Sequence, residues 1–104
     1  MIFNEHQSRI WHGMLKTIYS FRKGEISYRK LVYGLEGFLD AGEFVDQNLI
    51  KQWYDYWTPL EILYSTKGNN VKLDDSYTYL FDMEFFLLAN ISSMKGKVSE
   101  EQKG

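Results

Sequence analysis

The chain has 104 residues, 44% of them apolar and 25% charged, a composition typical of one globular domain. It contains no cysteine, which excludes disulfides, thiol catalysis and cysteine-ligated zinc and favours a reducing compartment. The first ten residues lack the apolar stretch of a signal peptide, and no apolar run is long enough to cross a bilayer. We therefore expect a cytoplasmic protein.

Charge is distributed unevenly, although the formal net charge is only −2. Residues 1–35 hold six basic and two acidic residues, whereas residues 36–61 hold six acids and one base, Lys51. An acidic middle argues against nucleic acid as the main partner, because phosphate binding requires a concentrated basic face. The alternative is a nucleic-acid contact through the basic residues of the first part, which are Arg9, Lys16, Arg22, Lys23, Arg29 and Lys30.

The first predicted helix covers residues 5–23. Asn4 followed three residues later by Gln7 is a capping-box pattern, and Gly24 is a natural helix end. Apolar residues recur at helical spacing at Trp11, Met14, Leu15, Ile18 and Phe21.

The second predicted helix begins after the capping residue Ser27 and ends at Gly42. Its apolar stripe consists of Tyr28, Leu31, Val32, Leu35, Phe38 and Leu39. Gly34, Gly37 and Ala41 line a neighbouring stripe of small residues, although glycine costs a helix roughly 1 kcal/mol relative to alanine. Close approach of another helix would offset that cost; alternatively, the helix breaks at Gly34.

The segment from Asp46 to residue 66 is predicted to form two short helices. Asp46 caps the first, whose apolar face is Leu49, Trp53, Tyr56 and Trp57. Thr58, Pro59 and Glu61 match the start of another helix, with a cap, a proline at the first position and a box partner. We therefore expect the first helix to end by Trp57 and a second, kinked against it, over residues 59–66.

Residues 69–75 could form a short extended segment, near 70–73, or a loop. Asp74 or Asp75 then caps a fifth helix, whose helical pattern includes Leu80, Phe81, Glu84, Leu87, Leu88 and Ile91. Phe85 and Phe86 widen its apolar arc, so we expect this helix to be central. The whole pattern predicts an all-α, compact bundle of four to five helices over residues 1–95, with a flexible tail over 96–104.

Catalytic patterns are missing from the sequence. His6 and His12 are six residues apart, on different faces of one helix, and cannot share a metal as an i, i+4 pair can. No phosphate loop, nucleophile elbow or metalloprotease motif occurs. The acids at helix starts are explained by capping. We expect no catalytic residue, metal or cofactor, and a protein that is not an enzyme.

The most distinctive segment is residues 53–57, four rings around one acid (WYDYW). Trp53, Tyr56 and Trp57 follow the core stripe, whereas Tyr54 and Asp55 fall off it. Ordinary solvation would explain such residues. An exposed ring among acids also suits a basic protein partner.

Four segments carry a resemblance to known proteins: residues 24–31 (GEISYRKL), 35–39 (LEGFL), 53–57 and 60–61. In these segments the chain resembles small all-helical bacterial immunity proteins, of the colicin and contact-dependent growth inhibition types. The likeness covers about residues 15–65. It implies a protein that binds and neutralises one cognate toxin, often a basic nuclease, without cofactor or turnover. On charge and facing, the predicted contacts are Glu36, Asp40, Glu43, Tyr54 and Asp55.

A second interpretation remains open. The chain could be a small helical adaptor or a phage-type regulator, which includes a self-associating homodimer that uses the glycine stripe or exposed rings.

Overall fold

A computed structural model describes the backbone of residues 3–103 and the side chains of residues 3–91. This part of the chain forms four α-helices, α1 (Glu5–Arg22), α2 (Tyr28–Ala41), α3 (Gln47–Lys67) and α4 (Leu73–Lys103). The connections are short, so consecutive helices are antiparallel neighbours. Each helix contacts two others, and α4 closes the ring against α1. The predicted all-α bundle is confirmed.

The predicted caps of the first three helices are confirmed. The Asn4 side-chain oxygen accepts a hydrogen bond from the Gln7 backbone N–H at 2.7 Å, and the Asn4 backbone N–H donates one to Gln7 Oε1 at 3.3 Å. Ser27 and Asp46 cap α2 and α3, each accepting from the amide three residues later, at 3.2 and 3.1 Å. These bonds satisfy amides that a helix start leaves unpaired.

One core receives side chains from all four helices. Directed hydrogen bonds run through it: the Trp11 indole donates to the Leu87 carbonyl of α4 at 2.9 Å, and the Trp57 indole to the Val32 carbonyl of α2 at 2.8 Å. The buried hydroxyl of Tyr28 donates to a carbonyl of α3 at 2.8 Å. These bonds satisfy the polar atoms of large rings and also fix how far each helix can slide past the next.

The predicted break before Pro59 is wrong, because α3 is one helix of 21 residues with Pro59 inside it. The apolar stripe explains why. Trp53, Trp57 and Leu60 are all buried at successive helical spacings of four and three residues, so a break would remove one of them from the core. Proline withholds one amide, from the carbonyl of Asp55, which lies on an exposed residue that water can reach.

The loop between α3 and α4 contains no strand in the described residues, so of the two alternatives the loop is confirmed. Gly68–Asn70 forms a 3₁₀ turn, and the buried Val71 follows in extended backbone. α4 then begins at Leu73, and Asp75 accepts a hydrogen bond from the Lys72 amide at 3.0 Å. Side chains beyond residue 91 lie outside the described part, and the flexible tail over 96–104 stays a prediction.

Of the two alternatives for the α2 glycines, the helix break is wrong, because α2 continues through Gly34. Gly34 lies against Thr17 of α1 at an ordinary contact distance, and a Cβ on Gly37 would meet nothing within 4 Å. A Cβ on Gly13 of α1 would lie 2.7 Å from the Phe38 ring of α2, so the ring packs into the space that this glycine leaves.

α4 has two apolar faces, of which only one enters the core. The second, the α4 ridge, consists of Leu73, Tyr77, Phe81, Phe85 and Leu88, all exposed. We expected Phe81 and Leu88 on the core face and Phe85 beside it; all three predictions are wrong. Leu80, Met83 and Leu87 fill the contact with the other helices instead. A 100° step per residue places them on a different side of the helix.

Candidate functional site

Four carboxylates surround one tyrosine where α2 packs against α3. The Tyr54 hydroxyl of α3 donates a hydrogen bond to Glu36 Oε2 of α2 at 3.1 Å. Asp40 lies one turn beyond Glu36, and Glu61 lies two turns beyond Tyr54, on the same side of their helices. Asp40, Glu43 and Tyr54 also line a concave surface of about 200 Å³. We call these five residues the acidic seam.

The electrostatics of Tyr54 show that three of the seam carboxylates act on its hydroxyl. Burial raises the pKa of the Tyr54 hydroxyl, and the hydrogen bond to Glu36 raises it further. The negative charges of Glu36, Asp40 and Glu61 add to the same shift. Tyr54 therefore keeps its proton and remains a donor to Glu36 at neutral pH.

Within the described residues, no seam carboxylate forms an ion pair. The ion pairs found there join Glu5 to Arg9, Arg22 to Glu84, Lys23 to Glu25 and Lys67 to Asp75. None involves a residue of the seam. Its negative charge is therefore not neutralised by a direct ion pair.

Two seam residues occupy positions that the local backbone disfavours. Asp40 lies in the last turn of α2, where exposed carbonyls repel a negative charge, and one turn after the like-charged Glu36. Glu43 has a φ of 52°, in the left-handed region that favours glycine after a helix end. Helix stability therefore gives no reason for an acid at either position.

The predicted contact residues are only partly brought together. Glu36, Asp40, Glu43 and Tyr54 belong to the seam. Asp55 is exposed on α3, about 100° around the helix from Tyr54, since adjacent residues of a helix are separated by that angle. It therefore lies on an outer face.

The predicted facing of Tyr54 and Tyr56 is wrong. Tyr54 is half-buried, with its ring edge-on to Trp53 at 5.1 Å and to Trp57 at 5.7 Å. Tyr56 is 38% exposed and stacks on Phe86 of α4 at 4.8 Å. The sequence pattern placed the centre of the buried stripe too far toward α4. Tyr54 is consequently a ring at the edge of the core with a polar tip in the seam.

Glu61 is the seam residue that the sequence analysis missed. The sequence pattern makes Glu61 the capping partner of a helix start at Pro59, but α3 continues through that residue. Its distance of seven residues from Tyr54 is the signal that would have found it, because residues seven apart share a face of a continuous helix.

Neither histidine belongs to the seam. His6 Nε2 lies 3.0 Å from the Ala41 carbonyl, and His12 Nδ1 lies 2.8 Å from the Ser8 carbonyl. Among the described residues, no three histidine, cysteine or acidic side chains are grouped so as to hold a metal ion. No helix in the same part of the chain is long and apolar enough to span a membrane.

No protein-family model matches the chain, and no curated protein or solved structure is significantly similar to it. The resemblance to immunity proteins therefore rests on the sequence patterns alone.

Proposed function

We propose that this protein is a bacterial immunity protein, which binds a basic protein toxin through the acidic seam and neutralises it without turnover. The observation that carries the proposal is the group of carboxylates around Tyr54 that form no ion pair within the described residues. Together with the lack of cysteine, this role favours the bacterial cytoplasm.

The seam suits a basic protein surface because its residues combine charge with a fixed ring. Carboxylates accept hydrogen bonds from lysine and arginine, and opposite charge accelerates encounter. Tyr54 is held by Glu36 and by two core tryptophans, so little side-chain freedom would be lost when a partner binds. A nuclease toxin would fit this chemistry, because a surface that binds phosphates is basic.

The disfavoured positions of Asp40 and Glu43 support the same proposal. An acid at a helix C-terminus and a non-glycine residue at positive φ both reduce stability. Residues that oppose local stability are expected at sites that serve binding. Both residues line the concave surface beside Tyr54.

The test has two stages. The protein is used to capture partners from an extract of its native strain, and each captured protein is then expressed alone in a foreign bacterium. We expect one of them to stop growth and co-expression of the wild-type chain to restore it. The double variant Asp40→Lys/Glu43→Lys should not restore growth.

The control is Asp55→Lys, which makes the same kind of charge change on another face and should protect as the wild type does. Protection by the double variant would contradict the role of the seam. Failure of every captured protein to inhibit growth would contradict the immunity function itself.

An adaptor role is the second candidate, and the α4 ridge favours it. Exposed apolar patches of this kind mark protein-protein contacts. An adaptor would bind a partner that is not toxic, so the growth assay separates the two functions.

A further inference from the structure

We propose that the α4 ridge is a homodimer interface, in which two copies of α4 pack antiparallel about Phe81. This inference is independent of the proposed immunity function, because it concerns another face of the bundle; a dimer would cover the ridge that an adaptor role would use. Phe86, which stacks on Tyr56 of α3, lies about 140° around α4 from Phe81. α2, which carries Glu36 and Asp40 of the seam, has no Cα within 8 Å of α4 in the described residues. On α3, Tyr54 lies about 160° around the helix from Tyr56, the residue that stacks on α4.

The exposed rings supply the area that a reversible dimer needs. Tyr77, Phe81 and Phe85 are 64%, 51% and 67% exposed. With 150–250 Å² for each aromatic side chain, the three rings expose about 350 Å². Leu73 and Leu88, each roughly half exposed, bring the ridge to about 500 Å². Complete burial of two ridges would remove about 1,000 Å² from solvent, which is the lower limit for a biological interface and fits a weak, reversible dimer.

The spacing of the ridge makes it complementary to itself. Leu73, Tyr77, Phe81 and Phe85 follow each other at four-residue intervals, the row that forms a ridge on a helix surface. Antiparallel packing about Phe81 places each Phe81 against its copy and each Tyr77 against the other copy's Phe85. Every ring then contacts a ring, and the pairing of Tyr77 with Phe85 is reciprocal, as a twofold interface requires.

The charges beside the ridge permit this arrangement. Asp74 lies within the apolar arc but seven residues from Phe81, so the two copies of Asp74 would be about 21 Å apart, beyond the screening length. Glu84 lies at the edge of the arc and is paired with Arg22 of α1 at 2.9 Å. Asp82 points about 100° away from Phe81. A parallel dimer would bring the two copies of Asp74 together.

The first test is sedimentation equilibrium of the full chain from micromolar concentrations to about 1 mM. We expect the apparent mass to rise from 12.4 kDa toward twice that value. Phe81→Ser should weaken association by at least about tenfold while the helical circular dichroism is kept. The matched control is Tyr79→Ser, which removes an α4 ring that is 42% exposed and lies about 160° from Phe81. It should associate as the wild type does.

The second test fixes the orientation. Tyr77→Lys and Phe85→Glu should each weaken the dimer, and the double variant should restore it at low salt, because lysine at 77 would face glutamate at 85 of the other copy. A wild-type chain that keeps its monomer mass throughout would overturn the proposal. So would association that survives Phe81→Ser, or a double variant weaker than both single variants.

Discussion

Replacing Asp40 by lysine should stabilise the protein. In the wild type, Asp40 opposes the carbonyl end of α2 and repels Glu36 one turn earlier. Each effect is small, about 0.3–1 kcal/mol for the helix end and about 0.2–0.5 kcal/mol for the pair. Lysine reverses both signs, and a glutamate four residues before a lysine is the favourable order. Because Asp40 is exposed, we take the lower values, which give a gain of about 1 kcal/mol at low salt.

Thermal unfolding followed by circular dichroism measures this gain. For a domain of this size, about 1 kcal/mol corresponds to a rise of about 4–8 °C in Tm. Asp55→Lys is the control, since it changes the net charge equally. Position 55 lies in the middle of α3, away from the helix ends, and a lysine there would lie one turn after the like-charged Lys51. Its Tm should stay level or fall slightly. An unchanged or lower Tm for Asp40→Lys, or an equal rise in both variants, would refute the reasoning.

Three further predictions concern packing and pH. The Cβ of Gly37→Ala would lie in open space, so this variant should raise the free energy of unfolding in urea by about 0.5–1 kcal/mol. The Cβ of Gly13→Ala would meet the Phe38 ring, so this variant should be less stable than Gly37→Ala by about 1–3 kcal/mol. Burial raises the pKa of Tyr28, so the stability that its protonated hydroxyl contributes is complete below pH ~10 and is lost as the pH rises above that value. In pH-dependent unfolding, alkaline pH should therefore destabilise Tyr28→Phe less than the wild type. The Lys72 amide holds the pKa of Asp75 below its ordinary value, so the stability that ionised Asp75 contributes is lost as the pH falls below ~4. In pH-dependent unfolding, Asp75→Asn should therefore be less stable than the wild type at neutral pH and should approach the wild-type stability below pH ~4.

The sequence predicted features whose causes are local. Asn4, Ser27 and Asp46 cap their helices as expected, because a cap depends on one side chain and an amide three residues away. The same local logic failed at Pro59. A proline permits a helix start, but the buried positions of Trp57 and Leu60 on either side require the helix to continue.

Features that depend on which face of a helix packs against the core were harder to predict from the sequence. α4 carries apolar residues around most of its circumference, and its neighbours can cover only one side, so the exposure of Phe81 and Phe85 could not be derived from periodicity. The predicted centre of the buried stripe on α3 is displaced toward Tyr56, so the sequence pattern predicts Tyr56 as a core residue and Tyr54 as an exposed one, the reverse of what the structure shows. Glu61 was missed because recognising it requires α3 to be continuous.

The directed bonds of the core have a consequence for how such a protein can diversify. Trp11 and Trp57 tie the helices together through backbone carbonyls, which every residue possesses. The identity of the residue at the accepting position is therefore almost irrelevant to the bond. Substitutions at exposed positions such as Asp40 can accumulate without altering the alignment of the helices. A lineage could change its binding specificity one surface residue at a time while the interior stayed the same.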